Sequence, residues 1–202
     1  MIAANEALER LRAGNARFVS GGQLMESLAN PERRNELTTG QEPFAVILGC
    51  SDSRVPVEII FDFSLGHLFV IRVAGNVVAP SQIGSIEFAA EQFGTRLVVV
   101  MGHTGCGAVA ATLAELKRPM GSRSLNLSAI VDRIRPAVEP LVDTEAEESA
   151  LLEQSIRANI RASMNQLRNG SKILKSLISD DGLLIVGAEY SLETGVVEFF
   201  DD

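Results

Sequence analysis

Residues 43–56 decide the fold of this chain, and they read PFAVILGCSDSRVP. Residues 44–48 form an unbroken apolar run, long enough for a strand and too short for most helices. Such runs are typical of parallel sheets that are buried on both faces, and ligands bind beyond the carboxyl ends of their strands. The side chains of Cys50, Asp52 and Arg54 follow this run. A thiol, a carboxylate and a guanidinium are therefore predicted to lie at the edge of the sheet where ligands usually bind.

Strand-like and helical patterns alternate along the rest of the chain. Three further apolar runs lie at residues 68–73, 96–101 and 183–188. Helical patterns lie at residues 56–63, 81–93, 107–117, 123–170 and 171–179, and Thr144 and Glu147 have the spacing of a capping box. The last fourteen residues predict a hairpin. Together these patterns predict one α/β domain over residues 1–202, with a mostly parallel central sheet of about four strands, an antiparallel C-terminal edge strand and flanking helices.

The first 40 residues are predicted to form a helical arm. In residues 2–20, apolar side chains such as Leu8, Leu11 and Phe18 recur at roughly helical spacing among charged ones. Residues 23–42 are polar and have no strong apolar stripe. Because a lone amphipathic helix must bury its stripe on something, a partner subunit is one candidate for the surface that covers it.

Composition limits the class of protein. The chain has 202 residues, of which 46% are hydrophobic and 22% charged, and this fits one globular domain with a full core. The net charge of -8 argues against nucleic acid or an anionic membrane as a partner. The chain has no apolar run of about 18 residues and no signal-peptide core, so we expect no membrane span and a cytoplasmic location. Its two cysteines argue against a disulfide scaffold.

The two cysteines and one of the two histidines are placed to meet. Cys50 follows the first predicted strand, His103 follows the third, and Cys106 lies at a predicted helix start. In a parallel sheet these positions share one edge. Two thiolates and one imidazole form a known set for catalytic zinc, and they favour zinc over magnesium or calcium. The alternative is that both cysteines are inert core residues, because cysteine is among the most buried residue types.

Asp52 can take either of two roles beside such a metal. It can be a fourth zinc ligand, which closes the site, or it can accept a hydrogen bond from zinc-bound water and orient its attack. Arg54 can hold Asp52 with a two-pronged hydrogen bond and keep it ionised. A structural ion pair that caps the turn after the strand is the alternative to both roles.

Three motifs together resemble the β-class carbonic anhydrases: CSDSRVP at residues 50–56, VxRxAGN at residues 70–76 and GHTGCG at residues 102–107. The resemblance is strong over about residues 40–115. It implies that Cys50, His103 and Cys106 are the zinc ligands, with one zinc ion per chain, and that Asp52 and Arg54 are the catalytic dyad. The implied activity is the reversible hydration of carbon dioxide to bicarbonate and a proton, by attack of zinc-bound hydroxide.

The resemblance also implies an assembly and a substrate pocket. The expected assembly is a homodimer or a dimer of dimers, with exchanged N-terminal helices and active sites at the subunit interface. Gln41, Phe69, Ala74 and Phe88 match the expected substrate-binding positions. A tyrosine is often found on this helix in the family, and Phe88 replaces it here.

Some members of the family carry an inhibitory bicarbonate pocket built from Trp, Arg and Tyr. Arg72 and Tyr190 match two of these residues, but Ile47 stands at the tryptophan position, which puts this regulation in doubt. We therefore expect water, and not Asp52, on the zinc at neutral pH.

His67 is expected to be a surface histidine at the opposite end from the site, with a proton shuttle as the alternative.

The proposed ligand set also predicts a pH dependence. Two thiolates cancel the charge of Zn²⁺ and three imidazoles do not. This site should therefore acidify its water less than a three-histidine site does, and its activity should rise toward alkaline pH.

Three other functions stay open. They are hydrolysis of carbon disulfide or carbonyl sulfide on the same scaffold, a non-catalytic zinc-stabilised interaction protein, and a thiol redox protein. The redox protein is the weakest of these, because it leaves Asp52 and Arg54 unexplained.

Overall fold

The computed structural model describes residues 2–22, 30–117, 124–142 and 147–200. Its strands are β1 (Ala45–Gly49), β2 (Leu68–Arg72), β3 (Leu97–His103), β4 (Leu184–Tyr190) and β5 (Val197–Phe200). Its helices are α1 (Ala4–Ser20), α2 (Pro31–Glu36), α3 (Val57–Ile60), α4 (Pro80–Gln92), α5 (Gly107–Lys117), α6 (Leu125–Val138), α7 (Glu148–Gly170) and α8 (Lys172–Asp180). Short 3₁₀ turns lie at Leu37–Thr39, Ala74–Asn76 and Glu139–Leu141. Of the predicted capping box, Thr144 lies outside the described residues and Glu147 is the N-cap of α7.

The strands form one sheet in the order β2-β1-β3-β4-β5. The first four run parallel and β5 pairs antiparallel with β4, which confirms the predicted fold class. Gly49 pairs with Arg72 on one side and with Met101 on the other, while His103 pairs with Tyr190. The carboxyl ends of β1, β2 and β3 therefore lie at the same edge of the sheet.

Helices cover both faces of the sheet, and this explains the unbroken apolar runs. Every residue of β1 and β3 is buried. One apolar cluster includes Ile86 of α4 and Ile160 of α7, and a second on the other face includes Leu11 of α1 and Phe61. Among the described helices, none is long and apolar enough to cross a membrane.

Helix α1 packs on the sheet of its own chain. Ala7 and Leu11 are fully buried. The Asn15 amide donates to the carbonyls of Ile60 (3.3 Å) and Gly195 (2.9 Å), and its oxygen accepts from the Val197 N–H (2.9 Å). Residues 2–20 thus contribute to the core of their own chain. Contact of the first 40 residues with a partner subunit, and exchange of the helix, stay predictions.

Two glycines in the middle of helices make the packing of α1 testable. A Cβ at Gly14 would lie 1.9 Å from the Phe61 carbonyl oxygen, whereas a Cβ at the exposed Gly84 of α4 meets no atom within 4 Å. Gly14→Ala should therefore lower the free energy of unfolding by about 1–3 kcal/mol, because α1 must move off the segment that follows α3.

The matched control is Gly84→Ala, which should raise the free energy of unfolding by about 0.5–1 kcal/mol through helix propensity alone. Urea unfolding of both variants and the wild type measures these changes. Equal stabilisation by the two substitutions would contradict the packing of α1 against Phe61.

Candidate metal centre and active site

Three potential metal ligands converge at the carboxyl edge of the sheet. Each of Cys50, His103 and Cys106 offers one ligand atom, and these three atoms lie within 4.8 Å of one another. All three residues are buried. Cys50 directly follows β1, His103 is the last residue of β3, and Cys106 directly precedes α5. The parallel pairing of β1 with β3 thus brings together side chains that are 53 positions apart in the sequence (50 to 103).

The imidazole of His103 presents one nitrogen to this cluster. Its Nδ1 lies 2.9 Å from the Thr104 carbonyl oxygen, which can only accept, so Nδ1 carries the proton. Its Nε2 is then an acceptor, and it is buried with no hydrogen-bond partner in the described part of the chain. A buried lone pair beside two cysteine sulfurs is an arrangement that a metal ion would satisfy. Nothing in the sequence pointed to Thr104 as the residue that fixes this tautomer.

The two thiols differ in their proton affinity. A hydrogen bond from the Cys106 thiol, supported by backbone N–H groups such as that of Gly75, lowers the pKa of Cys50 to about 4 against the opposing effect of burial. The same shared hydrogen bond, together with burial, raises the pKa of Cys106. The shared hydrogen bond thus favours the thiolate form of Cys50, which is the form that binds a cation. Metal binding would release the proton of Cys106, as is usual for thiolate ligands.

Asp52 and Arg54 form a two-pronged ion pair beside the cluster. Arg54 donates from Nε to Asp52 Oδ1 at 2.9 Å and from Nη2 to Oδ2 at 2.7 Å, and its backbone N–H donates to Oδ1 at 3.0 Å. The hydrogen bond from Arg54 is the main reason why the pKa of Asp52 lies well below its usual range. Asp52 Oδ2 also lies 3.8 Å from His103 Nε2. The carboxylate therefore stays ionised within reach of anything bound at the cluster.

Arg72 fixes the backbone of the loop that carries these groups. It donates from Nε to the Cys50 carbonyl at 2.9 Å and from Nη2 to the Asp52 carbonyl at 2.5 Å. The sequence had linked Arg72 only with an inhibitory pocket. Of the other two positions of that pocket, Ile47 is fully buried in β1, and Tyr190 is also buried. No signal in the sequence indicates this role, because it depends on the pairing of Arg72 with Gly49 at the ends of adjacent strands, which only the structure shows.

Gln41 lies at the opposite edge of the sheet. It lines a cavity of about 460 Å³ together with Phe44, His67 and Arg96, which lie directly before β1, β2 and β3. Residues 43–50 run the length of β1, so this edge is roughly 20 Å from Cys50 at ~3.3 Å per residue. His67 is at this end as expected; it is half-buried, its Nδ1 lies 3.2 Å from Ser64 Oγ, and burial lowers its pKa.

Two more of the expected substrate residues also lie away from the cluster. Phe69, the second residue of β2, packs in an aromatic group with Phe88 and Phe93, with ring centroids 5.5–6.3 Å apart. Ala74 is different, because it follows β2 at the carboxyl edge and precedes the Gly75 N–H that donates to Cys50 Sγ at 3.4 Å. Within one chain, the structure brings Ala74 close to the cluster and leaves Gln41, Phe69 and Phe88 away from it.

Comparisons with known proteins agree with this geometry. Residues 45–197 match the family model described as Carbonic anhydrase. The chain is 40% identical to a carbonic anhydrase of Mycolicibacterium smegmatis, over 95% of this chain and 91% of that protein. It is 36% identical to carbonic anhydrase 2 of Mycobacterium tuberculosis, over 94% of this chain and 89% of that protein.

Solved structures show the same fold. The β-carbonic anhydrase CafA of Aspergillus fumigatus is 27% identical with a TM-score of 0.76, covering 87% of this chain and 83% of that one. A β-carbonic anhydrase of Sordaria macrospora, described as tetrameric, matches in fold with a TM-score of 0.74 at 24% identity, covering 94% of this chain and 95% of that one. The family match, the relatives and the shared fold lead to one conclusion: this chain belongs to the β-carbonic anhydrase family.

Proposed function

We propose that this chain catalyses the zinc-dependent, reversible hydration of carbon dioxide to bicarbonate and a proton. The convergence of Cys50, His103 and Cys106, with the Asp52 carboxylate 3.8 Å from His103 Nε2, carries the proposal. Relatives that are 36–40% identical over almost the whole chain bear the name carbonic anhydrase. A cytoplasmic location, where the two free thiols stay reduced, is part of the proposal.

The three converging side chains fit zinc. Cys50 and Cys106 supply two sulfur ligands, and the unpartnered Nε2 of His103 supplies a nitrogen ligand. Two thiolates with one imidazole match the protein ligands of a catalytic zinc site that keeps a fourth position open. Zinc bound there would act as a Lewis acid and lower the pKa of coordinated water, which supplies the nucleophile for carbon dioxide.

Asp52 orients the reacting water in this proposal. Its Oδ2 takes one hydrogen bond from Arg54 and has a further lone pair on the side of His103 Nε2. Because the pKa of Asp52 is held low, its carboxylate accepts a hydrogen bond but is a poor store for a proton. The proton released by hydration therefore passes on to buffer, while Asp52 keeps the water oxygen aimed at the carbon atom.

Arg54 keeps Asp52 available for that task. Its two-pronged bond and its backbone N–H hold the carboxylate on the loop after β1. Coordination of a metal by Asp52 would weaken at least the bond from Arg54 to Oδ2. This geometry supports an open fourth position and disfavours the alternative of a permanently closed, non-catalytic site.

The direct test is carbon dioxide hydration by zinc-quantified protein in a stopped-flow spectrophotometer. Asp52→Asn should lower kcat by about 100-fold or more, because the amide cannot accept the water hydrogen bond in the same way as the carboxylate. Measurements between pH 6.5 and 9 also cover the range in which the wild-type rate is expected to rise.

Asp132→Asn is the matched control, because it removes an exposed carboxylate on α6 and should leave kcat unchanged. Equal zinc content in all three proteins ensures that the comparison reports on the carboxylate. Wild-type protein that binds zinc and does not hydrate carbon dioxide anywhere in this pH range would overturn the proposed activity.

We also propose a homo-oligomer in which a second chain completes each site. Gln41, Phe69 and Phe88 lie away from Cys50 of their own chain, so they can serve as substrate residues only for the site of a neighbouring chain. Two features of this side of the molecule support contact with another copy. Edge strand β2 is only partly buried, and the Phe88 ring beside it is 51% exposed.

Complementation between inactive variants tests this arrangement. Gln41→Ala and Asp52→Asn chains should each be slow alone, and co-expression should form mixed dimers with one intact site. If the dimers form at random, half are mixed, and about a quarter of the wild-type activity should return.

Co-expression of Asp52→Asn with Arg54→Ala is the control, because both residues belong to the same side of the site. No recovery is expected for this pair. Recovery in the control pair, or none in the test pair although mixed dimers are isolated, would contradict a site shared between chains.

A further inference from the structure

We propose that Asn159 of α7 is a positioning residue for the metal ligand Cys50. It acts through the turn Ala74–Asn76, whose Gly75 N–H donates to Cys50 Sγ at 3.4 Å. This inference rests on the proposed zinc site and adds a residue from a part of the chain that contributes none of the predicted site residues.

Helix α7 presents a polar stripe to the interior of the protein. Ser155, Asn159 and Ser163 follow one another at intervals of four residues, so they share one face, and they are 0%, 2% and 4% exposed. Buried helix faces are ordinarily apolar, and a buried polar group is costly unless it makes hydrogen bonds. Two members of this stripe have partners in the same turn. Asn159 Nδ2 donates to the Gly75 carbonyl at 2.7 Å, and Ser163 Oγ donates to the Asn76 carbonyl at 3.1 Å.

The turn needs these partners because of its backbone conformation. Gly75 and Asn76 both have positive φ angles, 67° and 45°, and both are buried. Their carbonyls accept from α7 side chains, and a buried carbonyl without a partner would be destabilising. A residue with a side chain cannot readily replace Gly75 in this turn, since its Cβ would lie 2.7 Å from Ile134 Cδ1.

The position of Gly75 links α7 to the metal ligand. Its N–H faces Cys50 Sγ while its carbonyl faces Asn159 Nδ2, so one residue joins the two. The N–H donor favours the thiolate form of Cys50 and fixes the direction of its sulfur lone pairs. Without the Asn159 amide, the Gly75 carbonyl loses its partner. The turn keeps the Ser163 bond to the Asn76 carbonyl but can tilt, which moves the Gly75 N–H away from the sulfur. Partners of metal ligands commonly change metal affinity by about 10–100-fold when they are removed.

The test measures zinc affinity and a spectroscopic signature, independently of catalysis. Asn159→Leu has nearly the same volume and lacks the donor. In competition with a chelator, its zinc affinity should fall by about 10-fold or more. With Co²⁺ in place of zinc, its thiolate-to-metal charge-transfer band should shift or weaken relative to the wild type.

Two controls separate positioning from folding. Ser155→Ala removes a buried hydroxyl of the same stripe that has no hydrogen-bond partner among the described residues, and it should leave both readouts unchanged. Leu167→Ala removes a fully buried side chain of α7 and destabilises the fold, but it should keep the wild-type Co²⁺ spectrum.

Ser163→Ala removes only the bond to the Asn76 carbonyl and should show a smaller loss of zinc affinity than Asn159→Leu. It also serves as the test variant if Asn159→Leu does not fold.

Each outcome decides the proposal. An unchanged zinc affinity and Co²⁺ spectrum in Asn159→Leu, or in Ser163→Ala if that is the test variant, overturn it. The same spectral change in Leu167→Ala also overturns it, since the effect would then come from general loosening of the fold. Wild-type protein that binds no zinc would overturn the proposed function itself. Wild-type protein that binds zinc and hydrates carbon dioxide, with a normal Asn159→Leu variant, would remove only the role of Asn159.

Discussion

The parallel pairing of β1 with β3 places Cys50 and His103 at the same edge of the sheet, and the whole site depends on this register. A shift of one residue in either strand would exchange the side chains that fit the apolar cluster on one face with those that fit the other, so the packing of both faces opposes it. With the register set, the residue that precedes α5 adds Cys106, and the loop after β1 adds Asp52. The site therefore takes its geometry from the most buried part of the chain.

Charge is arranged around this edge in a consistent way. The hydrogen bond between Cys106 and Cys50 favours the thiolate form of Cys50, and the ion pair with Arg54 keeps Asp52 ionised. A buried thiolate beside a partly exposed carboxylate would be unfavourable unless both had a cation or hydrogen-bond donors as partners. Arg54 supplies that partner for Asp52, and a divalent cation would supply it for the thiols.

Much of the sheet and of the metal-binding cluster could be predicted from the sequence, because unbroken apolar runs separated by helical patterns are typical of a buried parallel sheet. The apolar runs located β1 to β4, and the residues that follow β1 and β3 located the converging ligands. The packing of α1 was not predictable, since an amphipathic stripe shows that a helix is covered and does not show by which surface. Arg72, Thr104 and Asn159 were missed for another reason. Arg72 and Asn159 donate to carbonyls of residues distant in the sequence, and Thr104 accepts through its own carbonyl. Contacts with backbone carbonyls leave no pattern in the sequence, because every residue has a carbonyl.

Three of the expected substrate residues match the family by position in the sequence but lie far from the metal-binding cluster within one chain. Gln41, Phe69 and Phe88 match the family by position, but they lie at the other edge of the sheet or beside β2 in the same chain. The proposed second copy of the chain against this side would account both for their distance from Cys50 and for the exposure of Phe88 beside an edge strand.

The central claim is that two cysteines and one histidine hold a single zinc ion, and zinc X-ray absorption of the purified protein tests it most directly. A site of two thiolates and one imidazole predicts about one zinc per chain, with two sulfur atoms at about 2.3 Å and an imidazole nitrogen at about 2.0–2.1 Å. Cys106→Ser should reduce the sulfur shell to one atom or abolish binding. Zinc surrounded only by nitrogen and oxygen in the wild type, or protein that takes up no zinc, would contradict the account.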